Sequence, residues 1–263
     1  MAEGLYRFEP APLADARIVA AAHDPDYVAA FLSGSLSPAE MRRIGFPWSQ
    51  GLIDRTLASA GGTHDAFRNE GSGYCVFNDV AIAIHALRAG DSGLPRASRF
   101  AVVDLDVHQG DGTAAFFAGD PGVLTLSFHG ARNFPFLQQR SSIDVEFEDG
   151  AGDATYLKAL DAALPRVAAF EPELVFYLSG VDALATDALG RLALRPAGLA
   201  ERDRRVLEMC RTRGLPVVVT LGGGYSNPIE ATVEAHANTF RIAARVFPAA
   251  TFPAASTLPS ASI

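Results

Sequence analysis

The chain has 263 residues, of which 49% are apolar and 20% charged, with a formal net charge of −8. That balance suits a chain that buries a core and excludes intrinsic disorder or a coiled coil for its bulk; the length fits one large domain or two small ones. The acidic surface argues against direct nucleic-acid binding, and no apolar run approaches the ~18 residues of a membrane span.

The N-terminal residues Met1–Leu5 lack a basic region followed by an apolar stretch, so a secretory signal is not expected. Two cysteines, Cys75 and Cys210, are too few for a disulfide framework, and a cytoplasmic setting is the expectation. Asn78 fits the N-cap of a helix running through Asp79–Leu87. Phe100–Val107, Gly122–Phe128, Leu174–Ser179 and Pro216–Leu221 are near-continuous apolar and β-branched runs, the pattern of parallel strands covered on both faces. Pro196 opens a helix to about Arg213, with Gly214 just past its end, and Pro228 opens another from Asn227 to about Val246. Arg202, Arg204 and Arg205, set among Glu201, Asp203 and Glu208, read as a solvated helix face. The chain thus reads as a single domain over residues 1–246, with an Ala/Pro/Ser/Thr-rich loose tail over 247–263. Alternating strands and helices imply an α/β domain with a mainly parallel sheet, whose ligands sit beyond the carboxyl ends of the strands.

Three of those strand ends carry residues that a pure core avoids. In Asp104-Leu105-Asp106-Val107-His108, alternation sets Asp104, Asp106 and His108 opposite Leu105 and Val107. Three ionisable groups on one face of an apolar strand are costly without charge compensation, which a divalent cation supplies; oxygen and imidazole donors suit zinc. Ser179-Gly180-Val181-Asp182 brings another acid to a strand mouth, and Gly222-Gly223-Gly224 lets the backbone turn and aim Tyr225 into a site. Alone, a strand-end aspartate is usually a cap and a glycine-rich turn only a turn. The three together favour a metal site.

These residues resemble the zinc-dependent histone deacetylases and their bacterial relatives, of the arginase/deacetylase fold. The resemblance is carried in order by Gly61-Gly62-Thr63-His64, Glu70–Asp79, Asp104–Gly112, Gly180–Leu184 and Gly222–Tyr225, while Gly190–Gly198 is similar to the class IV type. It implies a three-layer α/β/α domain that takes an acylated lysine peptide or a small acylated amine. The ligands would be Asp106, His108 and Asp182, the oxyanion donor Tyr225, and the walls of an acyl-lysine tunnel Gly73, Tyr74 and Phe134. A structural potassium ion, held by carbonyls from Asp104 to His108 and by Ser127, is implied as well. The arginase branch of the same fold would need two metals and more ligands than this chain offers.

Two departures from the family pattern stand out. The family has two adjacent histidines, each backed by an aspartate, where this chain has His64-Asp65. Asp104 is the expected partner of His64, which leaves Asp111 facing Asp65; two close carboxylates should share a proton, which either makes a general base or disables the enzyme. The resemblance also implies an additional N-terminal strand before the segment matching Leu5 onward, and a helix and strand ahead of the Gly-Gly-Thr-His turn, where Arg55–Ala60 here runs straight into Gly61; those two neighbouring edge strands are expected to be missing. A six-stranded sheet should remain, with a new edge near the Phe100 strand or its neighbour and a doubtful reach for His64. An uncovered edge invites self-association, so a homo-oligomer is a further expectation. Two functions follow: an active zinc-dependent deacylase, or a metal-binding pseudoenzyme or acyl-binding module.

Overall fold

All five residues of Phe100–Asp104, the strand β1, are buried, because each face of this strand is covered. In the computed structural model, which describes residues 5–6, 13–59, 64–90 and 96–248, β1 lies at the centre of the sheet. It is flanked by β2 (Val123–Gly130) and β4 (Leu174–Leu178), with β3 (Ile143–Phe147) beyond β2 and β5 (Val217–Thr220) beyond β4. Every pairing is parallel. Asp104 stands level with Ser127 on one side and Leu178 on the other, so the carboxyl ends converge at the segments that follow β1 and β4.

Side chains alternate between two apolar layers. Ala101, Val103, Val175 and Tyr177 pack with residues of α7 (Asp153–Ala169), α8 (Pro196–Arg213) and α9 (Glu230–Val246). Phe100, Val102, Phe176 and Leu178 pack with Val80, Ile84 and Leu87 of α5 (Asp79–Ala89). The arrangement is the expected three-layer α/β/α. Asn78 caps α5 by accepting from the Ala81 N–H at 2.9 Å, and Gly214 ends α8 in the left-handed region. A third apolar cluster lies under α1 (Ala16–Ala22), α2 (Pro25–Ser33), α3 (Pro38–Ile44) and α4 (Gln50–Ser59), centred on Phe31 and Phe77. No helix among the described residues is long and apolar enough to cross a membrane.

Several expectations need correction. The described residues hold five strands, not six, and the Phe100 strand is the centre of the sheet. The edges among the described strands are β3 and β5, each paired on one side only, and β5 leaves Val218 41% exposed. The β3 strand was missing from the expected set; its Ile-Asp-Val-Glu-Phe alternation is that of a strand with one face toward solvent. The helix expected from Asn227 begins at Glu230. His129 is fully buried within β2. Gly61–Thr63 and residues 249–263, most of the expected tail, lie outside the described residues.

One buried histidine serves the helical cluster alone. His23 packs among Tyr27, Phe77 and Phe116, its Nε2 accepts from the Asn78 N–H at 2.9 Å, and Nδ1 is 3.2 Å from the Arg68 carbonyl. Burial pushes it down to about 4, so the folded protein holds it neutral. A depressed histidine leaves stability intact above the unfolded value near 6.5 and erodes it as pH falls from there toward 4. At pH 5 the loss from His23 should be about 2 kcal/mol. Its ring resonances should not move between pH 8 and 5 in an NMR titration, and a midpoint near 6.5 would contradict the assignment.

Candidate metal centre and active site

The ladder of β1 stops at Asp104, but the alternation continues past it. Leu105 and Val107 drop into the core while Asp106 and His108 turn the other way. Asp182, at the mouth of β4, meets them. One ligand atom from each of Asp106, His108 and Asp182 lies within 4.8 Å of the others. His108 Nδ1 is 3.0 Å from Asp106 Oδ1 and 3.2 Å from Asp182 Oδ2. Both carboxylates are fully buried.

Two buried acids this close cannot both ionise cheaply. Burial opposes the charge on Asp106, yet His64 and His108 hold it below the usual carboxylate range. Burial, then the Asp106 charge, pushes Asp182 up to about 7. Burial also works against a charged His108, but the two carboxylates raise it to about 10. This set wants a positive charge at its centre. Two carboxylates and one imidazole around an open cleft are the donor chemistry of a divalent cation such as zinc.

The glycine run has a different reason from the one expected. None of Gly222, Gly223 and Gly224 has positive φ. Gly222 and Gly223 lie too close to the acids to carry a side chain: a Cβ on Gly223 would collide with Asp182 Oδ2, and one on Gly222 would sit 2.9 Å from Asp106 Oδ2, while one on Gly224 would press on Val181 and Thr232. The Gly223 N–H instead donates to Asp106 Oδ2 at 2.6 Å. Tyr225 follows, its N–H donating to Asp187 Oδ2 at 2.6 Å, and Asp187 Oδ1 accepts from the Leu189 and Gly190 N–H groups. Burial, then the nearby Asp106 and Asp182 charges, pushes the Tyr225 phenol up, so it remains a hydrogen-bond donor.

His64 reaches the site. Its Nδ1 is 2.8 Å from Asp104 Oδ2 and its Nε2 3.8 Å from Asp106 Oδ1. The support comes from α6 (Asp111–Phe116): the Thr113 N–H donates to the His64 carbonyl at 2.9 Å. Gly110 and Gly112 let that helix start press on the chain at 64–66, where a Cβ on Gly112 would strike the Ala66 carbonyl. Burial works against a charged His64, but Asp65, Asp104 and Asp106 hold it well above its ordinary value. Asp65 and Asp111 meet as expected. Burial pushes Asp65 up to about 8, against the pull of His64 and with help from Asp111; burial pushes Asp111 up to about 6.

Gly73 and Tyr74 both have positive φ, which brings Gly73 against Asp65 and leaves the Tyr74 ring between Phe46 and Tyr225, with centroids at 5.2 and 6.5 Å. Phe134 joins them in lining a cavity of about 720 Å³ whose floor holds His64, Asp65, Asp106 and His108. All eleven residues singled out in the sequence gather in or directly behind this one cleft. Ser127, drawn into the potassium expectation, is buried with its hydroxyl 3.0 Å from His129 Nδ1.

A supporting residue was misread in the sequence. Arg202 is wholly buried, not solvated. Its Nη1 donates to the carbonyls of Leu105 at 3.2 Å and Gly180 at 2.6 Å, which lie one and two residues before Asp106 and Asp182. Its Nε donates to Asp203 Oδ1 at 2.8 Å, and Asp203 also accepts from the Tyr177 and Thr239 hydroxyls. The spacing Leu199, Arg202, Asp203, Val206, Leu207 and Cys210 is the buried stripe of α8, a signal present in the sequence.

A histone deacetylase domain model matches residues 48–240. Among relatives, an uncharacterized protein from Picosynechococcus sp. is 43% identical over 246 residues, covering 86% of this chain and 81% of that one. Histone deacetylase 2 of Arabidopsis thaliana is 37% identical over 171 residues, covering 63% of this chain and 43% of the relative. Histone deacetylase RPD3 of Saccharomyces cerevisiae is 30% identical over 190 residues, with 68% and 42% covered. The chain therefore spans less than half the length of these two deacetylases.

Arg202→Met would leave the Asp203 charge buried beside two hydroxyls and no cation. The expected loss is roughly 3–5 kcal/mol in urea unfolding. Adding Asp203→Asn should return part of it, since the stranded charge goes; a double variant as weak as the sum of two singles would contradict this account.

Proposed function

Because the chain belongs to the histone deacetylase domain family, we propose that it is a zinc-dependent amidohydrolase acting on an N-acyl-lysine or a related acylated amine. The observation that carries the reading is the convergence of Asp106, His108 and Asp182 at the floor of a cleft that also holds His64 and Tyr225. When bound by those three residues, a divalent cation would polarise the acyl carbonyl and make an attacking water more acidic.

The chain's own groups account for the remaining work. His64, oriented through Nδ1 by Asp104, offers Nε2 toward the cleft and takes or holds the water's proton. The Tyr225 hydroxyl donates to the acyl oxygen as negative charge develops there. Water oxygen bonds to the acyl carbon, the carbon–nitrogen bond breaks, and both protons of the water end on the departing nitrogen, giving a carboxylate and an ammonium. Tyr74, Phe134 and the bare Gly73 offer walls suited to an uncharged acylated chain, which would leave an ammonium product unwelcome. The potassium site that the resemblance implies would draw on the Asp104–His108 carbonyls and Ser127.

Asp65 favours a second reading. A shared proton between Asp65 and Asp111 stands where the family has a second imidazole, and this supports a metal-binding pseudoenzyme or acyl-binding module.

Zinc-loaded protein is expected to hydrolyse a fluorogenic acyl-lysine peptide, with Asp182→Ala reducing turnover to background. Full activity in that variant would overturn the ligand assignment. Zinc uptake near one equivalent without turnover on any acyl chain length would select the second reading, and turnover gained by Asp65→His would identify the missing imidazole as the defect.

A further inference from the structure

The protein as a whole is acidic, but the wall of its cleft is not. Arg42 and Arg43 end α3, Arg132 follows β2 and Arg191 lies ahead of α8, and all four line the cavity above the metal-ligand floor. Among the described residues, the acids lining that cavity are Asp65 and Asp106, both at its floor. The acids that pair with the rim stand outside the lining: Glu70 is 2.9 Å from Arg43, Asp149 is 3.3 Å from Arg191 and 3.7 Å from Arg132, and Glu148 is 3.9 Å from Arg132. These pairs are half exposed or more on the arginine side, so they leave the guanidinium groups open to the cleft. Arg42, also exposed, makes no ion pair with a described residue. Asp187, next to the mouth, is taken up by the backbone N–H groups of Leu189, Gly190 and Tyr225.

We infer that the acyl amide enters this cleft on a carrier bearing carboxylates close to the scissile group. Guanidinium forks match carboxylates in pairs, and four of them around one mouth raise the local concentration of anions. A lysine- and arginine-rich peptide meets these guanidinium groups at the mouth. The inference rests on the amidohydrolase reading for the reactive group, but the rim itself concerns binding. Two sources offer the same chemistry: acidic side chains flanking an acyl-lysine in a peptide, or a small N-acyl amine with its own carboxylate.

The test is fluorescence anisotropy with labelled acyl-lysine peptides that differ only in flanking Glu, Gln or Arg, at low and at physiological ionic strength, run beside turnover on the same peptides. Nε-acyl-lysine with a free α-carboxylate, compared with its amide-capped form, tests the small-molecule source as a competitor. The Glu-flanked peptide should bind about tenfold more tightly than the Arg-flanked one at low salt, and the gap should narrow as salt screens it. In Arg42→Glu/Arg132→Glu the order should reverse. Preferential competition by the free α-carboxylate form, with little effect of peptide flanks, would support the small-molecule source. Charge-ordered binding without cleavage would uphold the rim and count against the hydrolase. Cleavage with equal or better use of the Arg-flanked peptide, or binding to anionic vesicles in place of any peptide, would overturn the inference.

Discussion

Asp106 and Asp182 are buried side by side with a single imidazole between them, and the surrounding structure is arranged around that crowding. Bare carboxylates at this separation in a dry site repel strongly, and the histidine can relieve only part of it. Every neighbouring feature reduces the remaining cost. The Gly223 N–H reaches Asp106, the Val107 N–H reaches Asp182, and glycines stand where any side chain would force the acids apart. Arg202 fixes from below the two carbonyls that set the direction of the ligand segments. Such effort spent on keeping acids together has its physical reason in a cation they can share.

The sheet explains how the site is held in place. Its ligands hang from β1 and β4, two of the three strands with neighbours on both sides, and the helices α7, α8 and α9 pack beneath them. The open edge at β5 lies one strand further out. The backbone of His64 is held by the start of α6 and its ring by Asp104, contacts that come from the segments around β1.

The sequence was informative where periodicity and chemistry disagreed. Acids at the ends of apolar strands marked Asp106, His108 and Asp182 because no packing argument accounts for them. The Asp65–Asp111 meeting was legible from order along the chain, and the structure brings the two together. Arg202 was hidden because its charged neighbours Arg204 and Arg205 do form partly exposed pairs with Glu201; only the i, i+3, i+4 stripe distinguishes it from them. The β3 strand was hidden because half its residues face water, and short alternation is a weak signal beside four continuous apolar runs. The role of the glycine triplet was partly legible: a need for small residues was clear, but close approach to carboxylates is a tertiary fact.

The most direct measurement is a calorimetric titration of chelator-stripped protein with a divalent metal, repeated on Asp106→Asn. The account predicts saturable uptake of one ion by the parent and loss of that uptake in the variant, with the fold retained by circular dichroism. Uptake that is unchanged in Asp106→Asn, or no uptake in the parent, would contradict it.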